Sequence, residues 1–184
     1  HRITGVPVGL IDNAWGGSAA EAWVRRDVLE PDERFAALMK RWSETERTYD
    51  ADKERAAYEE RLESWRNAVQ AARDEGKPEP RRPAAPRNPL VGQHRPANLY
   101  NGVLHPLVGF PMRGVIWYQG EGNSQDGANG GAINPYERCV EHRTLFKALI
   151  TSWRKGWSQP DLPFLFVQLP PYRNPLPMPS DQNW

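Results

Sequence analysis

The chain holds a single cysteine, Cys139, in 184 residues, which excludes an internal disulfide framework and a cysteine-based zinc site. It also lacks an excess of charge of either sign. Lys and Arg number 24 against 23 Asp and Glu, a formal net charge of +1, so no global field steers it to nucleic acid or to an anionic membrane. Any charge-driven partner must meet a local patch. No apolar run approaches the roughly 20 residues that cross a bilayer, and the opening His1-Arg2-Ile3-Thr4-Gly5 has no signal-peptide character. A soluble chain is expected, and its length is one domain's worth, which argues for a single core.

Proline and tryptophan are in excess, with 18 and eight residues. Pro78, Pro80, Pro83, Pro86, Pro89 and Pro96 punctuate one central stretch, which predicts a linker or an extended surface loop over about 77–97. Before it, between Arg25 and Glu75, charges of both signs are dense and the apolar residues fall at helical spacing. Phe35, Leu38, Trp42 and Tyr49 form one stripe; Tyr58, Leu62, Trp65, Val69 and Ala72 form another, stepping by four and three. The spacing predicts a charged helical insertion over about 31–76, as two helices or one bent helix, closed by Gly76-Lys77-Pro78.

Three short apolar runs, 6–11, 113–118 and 163–169, predict buried strands. Ser18-Ala19-Ala20-Glu21 has the spacing of a capping box, in which the Ser18 hydroxyl accepts from the Glu21 amide and the Glu21 carboxylate reaches back to the Ser18 amide. That predicts a helix starting at Ser18. Asn134-Pro135-Tyr136-Glu137 predicts another, running to about Trp153. Strands alternating with helices, and apolar throughout rather than on one face, argue an α/β fold: a partial, doubly wound parallel sheet covered by helices. Three strands are few for such a sheet, so an excerpt of a longer protein is expected.

Ligands of open α/β sheets bind beyond the carboxyl ends of the strands, and two glycine turns fall at such ends. Gly16-Gly17-Ser18 offers backbone amides at a helix start, suited to a developing oxyanion. Gln119-Gly120-Glu121-Gly122-Asn123 offers two side-chain amides and a carboxylate. Both turns should face one crevice, equipped as acyl transfer requires. Ser18 and Glu21 are read as helix caps rather than catalysts. His94, His105 and His142 show no metal-ligand spacing; His105 reads as a loop residue beside Pro106, and His142 and Cys139 as ordinary surface and core residues of a helix. Arg81, Arg82, Arg87 and Arg95 have no interleaved aromatic before Tyr100, which argues against a nucleic-acid site.

Three pieces resemble, in order, the sialate O-acetylesterase family of SGNH hydrolases, related to acetylxylan esterases. They are Gly9-Leu10-Ile11 through Gly16-Gly17-Ser18-Ala19-Ala20-Glu21-Ala22-Trp23, Leu99-Tyr100-Asn101-Gly102 through Pro106-Leu107, and Trp117-Tyr118-Gln119-Gly120-Glu121-Gly122-Asn123. The resemblance implies a flavodoxin-like sheet and a serine esterase that removes acetyl groups from sugar hydroxyls with no metal or other cofactor. In such an enzyme serine attacks the acetyl carbonyl with histidine as base, amides hold the oxyanion, and water releases acetate. The family's Gly-Gln-Ser-Asn nucleophile motif and Asp-x-x-His base motif do not occur in these 184 residues.

The carry-over is therefore partial, and this chain by itself is expected to be inactive. It makes Gly17 a backbone oxyanion donor, Gln119 or Asn123 a side-chain donor, Glu121 the acidic partner of the base or a residue that supports that partner, and Trp23 and Asn101 substrate contacts. An acetylated sugar or glycan is the implied partner, without nucleic acid or membrane insertion, in a secreted or periplasmic location. The missing motifs and the charged helices leave one alternative, a non-catalytic carbohydrate-binding or interaction module.

Overall fold

A computed structural model describes residue 3 and residues 5–124 and 135–170. The chain divides into two compact units, 40–92 and the remainder, with the boundary inside one helix. A 3-10 turn at Ala20–Trp23 leads to α1 (Arg26–Leu29), then to α2 (Ala36–Thr48) and α3 (Ala51–Asp74). A π-helical turn at Tyr100–Leu104 precedes β1 (Val115–Trp117), α4 (Glu121–Ser124), α5 (Pro135–Gly156) and β2 (Phe164–Phe166).

The unit 40–92 is helical, as its stripes predict. Asp50 starts α3 by accepting from the amides of Asp52 and Lys53, each at 3.1 Å, and the Lys53 amide is the main cause that holds the Asp50 carboxyl below its usual range. Gly76, at φ +65°, ends the helix: its amide donates to the Arg73 carbonyl and the Lys77 amide to that of Ala72, the paired closure that needs a left-handed residue. The proline-rich stretch does not simply lead away. The Trp65 indole donates to the Pro80 carbonyl at 2.9 Å, Arg73 pairs with Glu79 at 2.8 Å, and the Arg82 guanidinium lies over the Trp65 ring. An extended proline segment has no internal hydrogen bonds, so its carbonyls are open to such a donor.

In the other unit β1 and β2 pair in parallel, with Val115 opposite Phe164 and Trp117 opposite Phe166. Trp117 sits at the centre of an aromatic cluster, its ring 6.1 Å from Trp23 and 5.7 Å from both Phe146 and Trp153. The Trp153 indole donates to the Trp23 carbonyl and that of Trp157 to the Phe110 carbonyl, both at 3.0 Å. Much of the tryptophan excess is explained here: Trp23, Trp153 and Trp157 each bury a large ring and still place their one donor, whereas the Trp117 indole N–H is buried with no hydrogen-bond partner among the described residues. Leu145 and Leu149 of α5 are fully buried, as are Phe35, Leu38 and Leu29, which are among the largest side chains of the core.

Several expectations are corrected. Residues 6–11 form no strand, and Val6, Val8, Leu10 and Ile11 are exposed, Leu10 at 84%. A strand exists only when a neighbouring strand completes its ladder, and among the described residues no strand runs beside this one. Among the described residues the sheet therefore has two strands rather than three, with Ile116 and Leu165 exposed. No helix starts at Ser18. Its hydroxyl accepts from the Trp23 indole at 2.9 Å and its amide donates to the Trp15 carbonyl, so both groups of the expected capping box are engaged by other partners. The turn after β1 is partly helical, as α4. Asn134, the expected cap of α5, lies outside the described residues, whereas Pro135 opens the helix and Gly156 ends it. The architecture is mixed and helix-rich with a small parallel sheet, consistent with the α/β class.

Candidate active site

The two glycine turns do come together, by means of a side chain the sequence singled out. Gln119, just after β1, donates through Nε2 to the Ser18 carbonyl at 2.9 Å and to Asn123 Oδ1 at 2.8 Å. Asn123 Oδ1 also accepts from the Ala20 amide at 2.8 Å, so it caps the 3-10 turn from 103 residues away. Its Nδ2 donates to Glu21 Oε2 at 2.9 Å. Glu21 is 1% exposed and Asn123 8%, so a buried carboxylate and two amides tie the loops where water competes little.

Glycine is required at the closest approach. A Cβ on Gly122 would lie 2.7 Å from the Ser18 carbonyl oxygen and 3.2 Å from that of Gly17. Gly17 itself has φ +68°. Gly120 is covered from the other side, since a Cβ there would meet Leu169 at 2.8 Å. Tightness of this kind holds the two loops in one arrangement.

Orientation of the Gln119 amide follows from its partners. The Ser18 carbonyl can only accept, so the NH2 edge must face it, and Oε1 is left to face His142 Nε2 at 3.2 Å. His142 must then carry its proton on Nε2. Its ring is stacked on Phe146, with 6° between the planes, and burial lowers its pKa below the usual 6.5. Local sequence gives His142 no functional signature, although its place on the α5 stripe, three residues before Leu145 and seven before Leu149, marks the buried face.

Neutral burial has a consequence for stability. The unfolded chain binds a proton at His142 near pH 6.5 and the folded chain does so only at lower pH, so stability is complete above 6.5 and falls as pH drops through the folded value. His142→Gln should flatten that part of the curve. Thermal melts of both proteins between pH 5 and 8 measure the difference.

The expected roles map unevenly onto this geometry. Both hydrogens of the Gln119 amide point into the protein, so as an oxyanion donor it is committed elsewhere, and its work in this arrangement is to clamp the turns. Trp23 is 4% exposed and packed on Trp117, a core position rather than an open contact for substrate. Asn101 is exposed on the π-helical turn, and Glu121 is exposed at the start of α4. Glu21, read as a cap, is instead the buried carboxylate of the network; only its tertiary partner distinguishes the two roles. Among the described residues no group of three or more His, Cys, Asp or Glu could hold a metal ion, and no helix is long and apolar enough to cross a membrane.

Comparison with known proteins gives the class first. Curated esterases share this chain's sequence over most of its length: the match to the rat sialate O-acetylesterase is 30% identical over 177 residues, covering 90% of this chain and 27% of the rat protein. The mouse sialate O-acetylesterase matches at 30% over 173 residues, and the human one at 33% over 97 residues, or 49% of this chain. These homologues support the assignment of the chain to the sialate O-acetylesterase family. The chain spans about a quarter of the length of the first two relatives. No family model matches it, and no solved structure does.

Proposed function

We propose that this chain is the central part of a carbohydrate O-acetylesterase that removes acetyl groups from sugar hydroxyls through a serine acyl-enzyme. The observation that carries the reading is the match to sialate O-acetylesterases over nine-tenths of the chain. It is supported by the hydrogen bonds that tie Ser18 and Ala20 to Gln119 and Asn123. In this reading the sheet belongs to a flavodoxin-like SGNH hydrolase domain, residues about 31–76 are a helical insertion, and the protein acts outside the cytoplasm on acetylated glycans. Nucleophile and base come from parts of the protein beyond these residues.

The chain's own contribution is to shape the oxyanion side of the site. Gly17 presents its backbone amide, Gln119 and Asn123 hold that turn in place, and Glu121, exposed beside them, is the acidic partner of the base. Water attacks the acyl-enzyme and acetate leaves, with no metal taking part. The test is hydrolysis of p-nitrophenyl acetate and of an O-acetylated sugar by the protein as its genome encodes it. Glu121→Gln should lower kcat by about 10²-fold or more while leaving Tm and KM nearly unchanged, because a neutral amide cannot stabilise an imidazolium. Unchanged turnover would remove Glu121 from the site. Sugar binding without any ester hydrolysis would favour a non-catalytic carbohydrate-binding module.

A further inference from the structure

His142 is a half-buried titratable side chain that the proposed reaction leaves unused, and it sits against the hydrogen-bond clamp. A glutamine amide has two ends of nearly equal shape and opposite chemistry. Both bonds that tie Gln119 to the loops leave from one end, Nε2, to the Ser18 carbonyl at 2.9 Å and to Asn123 Oδ1 at 2.8 Å. Reversed, the amide would set its oxygen against two acceptors, because Asn123 is fixed by the Ala20 amide on Oδ1 and by Glu21 on Nδ2. The other end, Oε1, meets His142 Nε2 at 3.2 Å. A donor there holds the amide in the one orientation that keeps the loops together.

The imidazole is itself held. Its ring stacks on Phe146 at 6.2 Å, and Phe146 lies 5.7 Å from Trp117 and edge-on to Phe166 at 5.9 Å. Trp117 and Gln119 are two residues apart, so the contacts run from β1 through α5 and back to the residue just after β1. Gly120 closes the space beside the ring, its backbone so placed that a Cβ there would lie 3.9 Å from His142 Cε1. Burial favours the neutral ring, with one hydrogen, and Gln119 Oε1 as acceptor assigns that hydrogen to Nε2.

We propose that His142 is a positioning residue for the reaction: its Nε2–H fixes the Gln119 amide, and through the Ser18 carbonyl it fixes the turn that presents the Gly17 amide to the oxyanion. Its effect on turnover rests on the acetylesterase reading; its hold on Gln119 does not. A misplacement of about 1 Å in a reacting geometry can cost about 10²-fold in rate, so loss of a bond at this remove from the oxyanion is measurable.

The test separates a donor from a space-filler, in the protein as its genome encodes it. His142→Phe keeps a flat ring on Phe146 and loses the donor, whereas His142→Gln loses the ring and brings a side-chain N–H to nearly the place of Nε2. With p-nitrophenyl acetate at about pH 8, where His142 is neutral, His142→Phe should lower kcat about tenfold or more with KM and Tm nearly unchanged, and His142→Gln should keep most of kcat. In protein carrying isotope-labelled glutamine, the Gln119 NH2 signals are identified by their loss in Gln119→Met. They should exchange with solvent about tenfold faster in His142→Phe than in the unaltered protein or in His142→Gln. If His142→Phe fails to fold, His142→Asn, whose N–H falls short of Gln119, takes its place. The ring nitrogens of the unaltered protein give a further reading, with the proton expected on Nε2 and not on Nδ1.

Equal losses of kcat in His142→Phe and His142→Gln overturn the proposal, since the ring rather than the donor would then matter. So do an unchanged kcat or an unchanged exchange rate in His142→Phe, and a proton on Nδ1 in the unaltered protein. If the unaltered protein hydrolyses no acetyl ester, the acetylesterase reading falls, and exchange together with the ring nitrogens still upholds or overturns the hold of His142 on Gln119.

Discussion

Asn123→Ala is expected to destabilise the protein by about 3–5 kcal/mol, because one truncation strips partners from two buried groups and a half-buried one. The Ala20 amide and one Gln119 hydrogen lose their acceptor, and the Glu21 carboxylate loses a donor in a site where it is 1% exposed. Thermal denaturation should show a fall in Tm of roughly 10 °C or more. Asn123→Asp separates the terms, since it keeps an acceptor for Ala20 and Gln119 but sets a second carboxylate against Glu21. Two adjacent carboxylates cannot both ionise freely, so one pKa rises on folding. A group that binds its proton more tightly when folded stabilises as pH falls, and Asn123→Asp should regain stability between about pH 7 and 5, the opposite slope to that expected from His142. A flat profile, or a drop in Tm below about 2 °C for Asn123→Ala, would show that the network contributes little.

Gly122→Ala is expected to have the next largest effect. The added Cβ meets the Ser18 carbonyl oxygen at 2.7 Å and its carbon at 3.1 Å, and both are backbone atoms in a loop already fixed by Gln119. A flexible side chain would swing aside; a backbone held by hydrogen bonds has to move as a unit. Overpacking of this kind costs about 1–3 kcal/mol, and here relief would come from parting the two loops. Turnover should therefore fall further than stability alone accounts for, measured as kcat at a temperature where the variant is fully folded. Gly9→Ala, at a position with open space around it, is the control and should change neither.

Elements that depend on local periodicity and end chemistry were legible in the sequence. The stripes on α2 and α3, the Gly76 closure and the Pro135 start of α5 all rest on side chains within a few residues of the feature they make. The two strands that form were legible for a similar reason, being β-branched and aromatic runs next to a turn. The run 6–11 has equal apolar content and fails, since a strand is completed by its neighbour rather than by its composition. Ser18 and Glu21 mislead in a related way: their spacing suits a capping box, but the Ser18 hydroxyl accepts from Trp23, five residues on, and the Glu21 carboxylate from Asn123, across the tertiary structure.

The residues of the site divide along that line. The glycine motifs singled out Gly17, Gln119, Glu121 and Asn123, but convergence at strand ends fails for Gly17 because 6–11 forms no strand; the two turns meet through the bonds of Ser18 and Ala20 with Gln119 and Asn123. What each does there was decided by tertiary contacts. Gln119 has two hydrogens to donate, and only the approach of the Ser18 carbonyl and Asn123 Oδ1 commits both of them. His142 carries no local signature of function, and its importance lies in being polar on a buried helical face, which needs the core beneath α5 to be known. Local sequence can specify a helix because its hydrogen bonds close within four residues; it cannot specify a partner 103 residues away, since that bond exists only once the intervening chain has packed.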